Sequence, residues 1–194
     1  MTLLAGLMLA EGTFLLVSDG VALAEDSSSG EQVFVPERKI FRCSRMPGIV
    51  FGFAGGQAVG SQCRAWIDRQ AFRTWDELLS DVAESLARLN GEAVRRARVA
   101  EAAPPEAVVL LIGGILGGET RVAFLDEHGS PTPDPSTPVF IGTGDVSATL
   151  AWAVAEELLG DVARTRDAFC RVVGVLCERL PGLAGPVQVL EAGP

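Results

Sequence analysis

The chain has 194 residues, 48% of them apolar, and a formal charge of −9, which together describe one compact soluble domain over residues 1–194. The acidic balance excludes broad binding to nucleic acid or to anionic membranes, because attraction to phosphate requires clustered cations. Tyrosine is absent and His128 is the one histidine, so chemistry that needs a histidine pair or a tyrosine acid is excluded. Of the 16 basic residues, all but Lys39 are arginines.

The first quarter of the chain is predicted to form strands. Two apolar runs, Leu3–Leu9 and Thr13–Ser18, flank a turn in which Gly12 can supply a positive φ, a pattern that indicates a β-hairpin. Further short strands are predicted at Gln32–Val35, Lys39–Cys43 and Gly48–Ala54. The last of these runs is continuously apolar, so we expect it to be buried on both faces.

Helices and a second group of strands are predicted next. One helix covers Gln57–Gln70, and a longer one covers Thr74–Glu101, with Thr74 as its N-cap and Asn90-Gly91 as a candidate interruption. Strands follow at Ala107–Ile112 and Thr120–Leu125, and the glycine pairs between them, Gly113-Gly114 and Gly117-Gly118, are interpreted as turn residues.

The last third is predicted to contain a loop, two helices and a strand. These are the proline-rich loop Ser130–Pro138, the helices Asp145–Leu159 and Asp161–Arg179, and a closing strand at Pro186–Leu190. Strands and helices thus alternate in groups, which predicts an α/β fold with two mostly antiparallel sheets face to face and helices outside. The predicted architecture is a four-layer α/β/β/α sandwich.

The cysteines and the N-terminal segment bear on metal binding and on export. The four cysteines form no Cys-x-x-Cys pair and lie near no histidine pattern, so we expect no metal site and no cofactor. The segment ending in Val21-Ala22-Leu23-Ala24 mimics a leader-peptide cleavage site, and export with cleavage after Ala24 is one alternative. Glu11 and Asp19 interrupt that segment and no base precedes Arg38, so we expect a cytoplasmic protein with no membrane span.

A candidate nucleophile follows from the hairpin geometry. A turn near Glu11 pairs residues whose numbers sum to about 22, which places Thr2 and Leu3 opposite Gly20 and Asp19. Removal of Met1, favoured when the second residue is small, would leave a free α-amino group beside the Thr2 hydroxyl. Such an amine has a pKa of about 7.7 to 8, so an N-terminal threonine is a nucleophile that carries its own general base.

Lys39 supplies the second clue. A lysine is a compact cation that lowers the pKa of a neighbouring amine and exchanges protons when desolvated, whereas arginine stays protonated. The one lysine begins a predicted strand in the same sheet region, from which it can reach both Asp19 and Thr2. Codon bias toward arginine is the alternative explanation for this composition.

An ordered set of short motifs resembles the N-terminal nucleophile (Ntn) hydrolases of the proteasome β-subunit and HslV-like type. The matching pieces are Thr2, Gly6, Gly12, Val17-Ser18-Asp19-Gly20, Arg38-Lys39-Ile40, Gly52-Phe53-Ala54-Gly55-Gly56-Gln57-Ala58, Leu125-Asp126-Glu127-His128-Gly129 and Ile141-Gly142-Thr143-Gly144. The resemblance implies that Thr2 is the nucleophile, Lys39 the cation that lowers the pKa of the amine, and Asp19 its orienting carboxylate. It also implies that the Gly55 N–H is the oxyanion donor and that Thr143 supports the nucleophile.

The resemblance also implies a threonine endopeptidase acting on polypeptides inside a homo-oligomeric ring, with an AAA+ ATPase unfoldase as partner. One family feature, an Asp-x-x-Ser in the last helix, has no clear counterpart. Asp167-Ala168-Phe169-Cys170 mimics the string far ahead of the closing strand, and Glu178-Arg179-Leu180-Pro181-Gly182 has the position without the residues. The alternative is therefore a non-catalytic subunit that builds a ring or binds a partner.

Overall fold

A computed structural model describes residues 2–25, 32–133, 138–142, 145–180 and 183–193. The strands are β1 (Leu3–Met8), β2 (Phe14–Ser18), β3 (Val21–Glu25), β4 (Gln32–Pro36), β5 (Ile40–Arg42), β6 (Ile49–Ala54), β7 (Val109–Leu116), β8 (Glu119–Leu125), β9 (Pro131–Pro133), β10 (Val139–Gly142) and β11 (Gln188–Ala192). The helices are α1 (Gln57–Ile67), α2 (Trp75–Val99), α3 (Asp145–Leu159) and α4 (Arg166–Arg179), with a 3₁₀ turn at Gly160–Arg164.

The first sheet carries the N-terminal hairpin at its centre. Its strand order is β10-β1-β2-β11, and every neighbouring pair is antiparallel. Leu4 lies opposite Ser18 and Ala5 opposite Val17, so the paired numbers sum to 22 as the hairpin arithmetic predicted. The backbone at Gly12 has a φ of +80°, which the turn requires and glycine adopts without strain. The end of β2 is thereby fixed next to the start of β1.

The second sheet has the order β5-β6-β7-β8-β9, again with antiparallel neighbours. All six residues of β6 are buried, which confirms the burial predicted from its continuous apolar run. The interpretation of Gly113-Gly114 as turn residues is wrong, because both lie inside β7. A Cβ at Gly113 would come within 2.4 Å of the Phe14 ring. This glycine is needed because the two sheets approach closely there.

Three apolar layers establish the predicted four-layer sandwich. Alternate residues of β1 point to opposite faces. Leu3 and Leu7 pack with Trp152 and Phe169 of the helices α3 and α4. Leu4 belongs instead to the layer between the sheets, which contains residues of both. The outer face of the second sheet is covered by α1 and α2. The fold is thus a mixed α and β sandwich of two antiparallel sheets flanked by helices.

The helices follow the predicted positions with two differences. Thr74 caps α2 by accepting a hydrogen bond from the Glu77 N–H, 3.3 Å away, as predicted. Asn90 does not interrupt α2, because its buried side chain hydrogen-bonds the backbone of Val108 and Glu127. The helix predicted over Asp161–Arg179 is divided into the 3₁₀ turn and α4. Within the described ranges, no helix has both the length and the apolar character needed to cross a membrane.

Three strands were not predicted. The leader-like segment forms β3, which pairs with β4 in a small two-stranded sheet. Part of the predicted proline-rich loop forms β9, while residues 134–137 of that loop lie outside the described residues. β10 pairs with β1 on the side away from β2. These strands are short or carry no alternation of apolar and polar residues, so sequence patterning did not reveal them.

Candidate functional site

Asp19 and Lys39 form a buried ion pair at one end of the sandwich. Lys39 Nζ lies 2.7 Å from Asp19 Oδ2 and donates a hydrogen bond to it. The side chains of Lys39 and Asp19 are 2% and 0% exposed, respectively. Asp19 directly follows β2 and Lys39 directly precedes β5, so each sheet contributes one member. The structure therefore brings together the two charged residues that the sequence singled out.

The second oxygen of Asp19 holds the start of the chain. Asp19 Oδ1 accepts a hydrogen bond from the Leu3 N–H at 2.8 Å, and the Asp19 N–H donates to the Leu3 carbonyl at 3.2 Å. One carboxylate thus bridges the Lys39 ammonium and the peptide group that joins Thr2 to Leu3. Thr2 is half-buried at this point. Thr2 thus precedes a peptide group that one oxygen of Asp19 holds, while the other oxygen holds the Lys39 ammonium.

Gly142, the last residue of β10, lies against the backbone of Thr2. Its φ is +104°, and a Cβ at this position would lie 1.9 Å from the Thr2 carbonyl oxygen. Only glycine permits this approach, so β10 confines Thr2 from the side opposite β2. Thr143, which the resemblance assigned to support of the nucleophile, lies outside the described residues.

Gly55 lies between β6 and α1 with a φ of +114°. Two contacts between the sheets show how β1 and β6 are aligned. Near the start of β1, Leu4 packs over Gly52 in the second half of β6, whereas Phe14, which lies opposite Met8 at the end of β1, packs over Gly113, the partner of Val50 near the start of β6. The end of β6, and with it Gly55, therefore lies at the end of the sandwich that holds Thr2. No acidic residue lies in the first turn of α1. The positive end of this helix dipole therefore favours negative charge nearby.

Two further residues border the ion pair and were missed at the sequence level. The Gln188 side chain accepts a hydrogen bond from the Lys39 N–H at 3.1 Å and donates another to the Glu37 carbonyl. Burial raises the pKa of the Cys177 thiol to about 11, with the negative charge of Asp19 as a second cause. The raised pKa favours the neutral thiol of Cys177 at physiological pH, and a neutral thiol is a weak nucleophile. Neither residue belongs to a motif that could have identified it.

Two candidates from the sequence lie in solvent. Asp167 is in the first turn of α4 with its side chain 93% exposed, next to Arg166. It therefore supplies no carboxylate to the buried pair. His128 has 79% of its side chain exposed, and its ring is 3.7 Å from Glu127 in the turn after β8. His128 therefore lies outside the buried ion pair.

Comparisons with known proteins identify relatives of the fold. No protein-family model matches the chain, and no curated protein matches it. A solved structure of Anbu (ancestral beta-subunit) from Yersinia bercovieri matches with a TM-score of 0.72 and 16% identity, over 98% of this chain and 81% of that one. The helical assembly of the Anbu complex from Pseudomonas aeruginosa matches with a TM-score of 0.72 and 14% identity, over 97% and 80%.

The assignment to the proteasome β-subunit and HslV-like family is therefore wrong. The matching structures are Anbu proteins, which are proteasome-like but form a distinct family, and no family model supports HslV. Among the described residues, most of the motifs that carried the resemblance lie at strand ends or in turns, while Gly6 lies inside β1. Such features follow from the sandwich itself, so they do not discriminate between families that share it. At these identities the comparison establishes that the chain has the fold of these Anbu structures.

Proposed function

We propose that this chain is a subunit of a proteasome-related threonine peptidase, with Thr2 as the nucleophile once Met1 has been removed. One observation carries the proposal: the buried Asp19 carboxylate joins the Lys39 ammonium to the peptide group that follows Thr2. A buried ion pair is a poor device for stability alone, because desolvation of both charges offsets their attraction. Its position beside a half-buried threonine instead favours a role in proton transfer.

The chemistry follows from these positions. The free α-amino group of Thr2 takes the hydroxyl proton while Thr2 Oγ attacks the carbonyl carbon of a peptide bond. The Gly55 N–H stabilises the oxyanion, and Thr143 supports the nucleophile. Collapse of the tetrahedral intermediate transfers the proton to the leaving amine and forms an ester on Thr2. Water then hydrolyses this ester and regenerates the hydroxyl.

Labelling and turnover test the nucleophile. We expect Met1 to be absent from the purified chain, and a threonine-directed electrophile such as a peptide epoxyketone to add one equivalent of mass. Thr2→Ala should abolish both labelling and peptide turnover, while Thr2→Ser, which retains a hydroxyl, should keep part of each. Lys39→Arg should keep the charge and lose most of the activity, because a guanidinium is larger and does not exchange protons. Full activity in Thr2→Ala would refute the assignment.

Self-association is the second part of the proposal. One of the similar structures is a helical assembly of the Anbu complex, and here α3 exposes an apolar stripe at i, i+4 spacing. The stripe consists of Val146, Leu150, Val154 and Leu158. An exposed contiguous apolar surface favours burial against a protein partner, and homo-oligomers are the commonest form. We expect sedimentation velocity to detect an oligomer that Leu150→Lys with Leu158→Lys converts to monomer. The variant Val99→Lys, which changes an exposed residue at the end of α2, should leave the oligomer intact.

A non-catalytic subunit is the second candidate. It is favoured by the exposure of Asp167, which leaves the string Asp167–Cys170 away from the buried pair. Such a subunit would keep the oligomer, and it would neither bind the electrophile nor hydrolyse peptides even where Met1 has been removed. Labelling of a chain whose intact mass shows the loss of Met1 therefore separates the two candidates.

A further inference from the structure

The side chain of Gln188 connects the closing strand to the segment that carries Lys39. Its Oε1 accepts the hydrogen bond from the Lys39 N–H at 3.1 Å, and its Nε2 donates to the Glu37 carbonyl. The Glu37 carbonyl and the Lys39 N–H lie on either side of Arg38. In a parallel sheet, a residue of the neighbouring strand forms its two hydrogen bonds to just such a pair of backbone groups. The amide of Gln188 thus takes the place of a peptide group and links β11 to the chain before β5.

This contact requires both halves of a primary amide. The Lys39 N–H needs an acceptor and the Glu37 carbonyl needs a donor, so the observed orientation of the amide is the one that satisfies both. A glutamate at position 188 would supply only the acceptor, and a methionine would supply neither.

Gln188 is itself fixed relative to Asp19. It lies opposite Ser18 in the pairing of β11 with β2, and Asp19 is the next residue along the chain. A further hydrogen bond ties the 37–39 segment to the residue after Asp19, because the Glu37 N–H donates to the Gly20 carbonyl at 2.9 Å. The backbone of Lys39 is therefore held in the same frame as the carboxylate that its ammonium contacts.

We propose that Gln188 is a positioning residue that sets the placement of Lys39 against Asp19. It acts through Lys39 and does not itself contact substrate. The consequence for catalysis rests on the proposed function, whereas the placement of Lys39 does not. Loss of the amide would remove two of the hydrogen bonds that hold the 37–39 segment, and the ammonium would be held less firmly against Asp19.

The single lysine of the chain allows a direct test. Selective ¹⁵N-lysine labelling gives one backbone amide signal, which belongs to Lys39. In the full chain we expect the Lys39 amide proton to exchange slowly with solvent. In Gln188→Met this proton loses its hydrogen bond to the Gln188 side chain. We therefore expect it to exchange at least about tenfold faster and to resonate upfield. Gln188→Glu, which keeps the acceptor, should give an intermediate rate and serves as the second variant should Gln188→Met fail to fold. Unchanged exchange and shift in either folded variant would overturn the proposal.

Kinetics then separate positioning from a general loss of stability. Gln188→Met should lower kcat for a peptide substrate by about tenfold or more and leave KM within about twofold. The matched control is Val189→Ala, which weakens the packing of the adjacent β11 residue without touching the amide, and it should keep kcat. Equal kcat for Gln188→Met and wild type would overturn the positioning role. If the wild type itself does not react with the electrophile while the Lys39 amide responds as expected, the proposed function fails and the placement of Lys39 by Gln188 stands.

Discussion

Replacement of Lys39 by methionine tests the buried ion pair most sharply. Methionine has a similar length and keeps the apolar part of the side chain, but it removes the ammonium that lies 2.7 Å from Asp19. The carboxylate of Asp19 would keep its hydrogen bond from the Leu3 N–H. Its charge would then be buried without the cation that now faces it.

The expected loss is large because both side chains are almost fully buried. Removing one member of a buried pair costs about 3–5 kcal/mol, against a total stability of about 5–15 kcal/mol for a typical domain. The double variant Asp19→Asn with Lys39→Met removes both charges, and the introduced amide oxygen can still accept a hydrogen bond from the Leu3 N–H. We therefore expect the double variant to be more stable than Lys39→Met alone, by about 2 kcal/mol.

Urea unfolding followed by circular dichroism at neutral pH measures these differences, provided that the slope of the transition is the same in all variants. The two single variants and the double variant complete a cycle that isolates the coupling between the charges. An ion pair exposed to solvent would give a different result. Lys39→Met would then lower the free energy of unfolding by less than about 1 kcal/mol, and the effects of the two single variants would add up in the double variant. That result would refute the geometry on which the site is built.

Three further predictions follow from other parts of the fold. Gly142→Ala should displace Thr2 and lower the rate of electrophile labelling by about tenfold or more. The control is Gly118→Ala, which also has a positive φ but no atom within 4 Å of the added Cβ. It should lower the free energy of unfolding by only about 1 kcal/mol and keep the labelling rate. Burial raises the pKa of the Cys63 thiol to about 12. Between about pH 9 and 12 this thiol is ionised in the unfolded state but still protonated in the folded state. The free energy of unfolding therefore falls as the pH rises through this range. The stability that the protein loses between about pH 8 and 10.5, measured by urea unfolding, should be smaller by about 2 kcal/mol in Cys63→Ala. An equal loss of stability in this variant would contradict the raised pKa of Cys63. Asn90→Ala should cost about 2–4 kcal/mol in the same assay, because buried backbone groups of Val108 lose their partner, while labelling at Thr2 stays unchanged.

The N-terminal hairpin could be predicted from the sequence in detail. The apolar runs on either side of Gly12 predict both strands, and the short turn between them fixes their register, because the loop of a hairpin determines which residues lie opposite each other. That register alone places Thr2 beside Asp19. The contact of Lys39 with Asp19 joins the two sheets, and it was anticipated only because a single lysine stood out among arginines.

Other features depend on tertiary contacts that no local pattern records. Gly113 carries the signature of a turn, yet it lies inside β7, where the Phe14 ring leaves no room for a side chain. Gln188 is an ordinary polar residue at the start of a strand, and its role follows from a contact with residues about 150 positions earlier in the chain. The family assignment failed for a related reason, since short turns and strand ends belong to the fold and do not distinguish one family with that fold from another.

The proposed function requires Thr2 to be a reactive N-terminal nucleophile beside a buried lysine. Peptide mapping by mass spectrometry after reaction with the epoxyketone tests this requirement. We expect Met1 to be absent and the added mass to lie on Thr2, with no label in Thr2→Ala. A retained Met1 without any label, or a label that persists in Thr2→Ala, would contradict it.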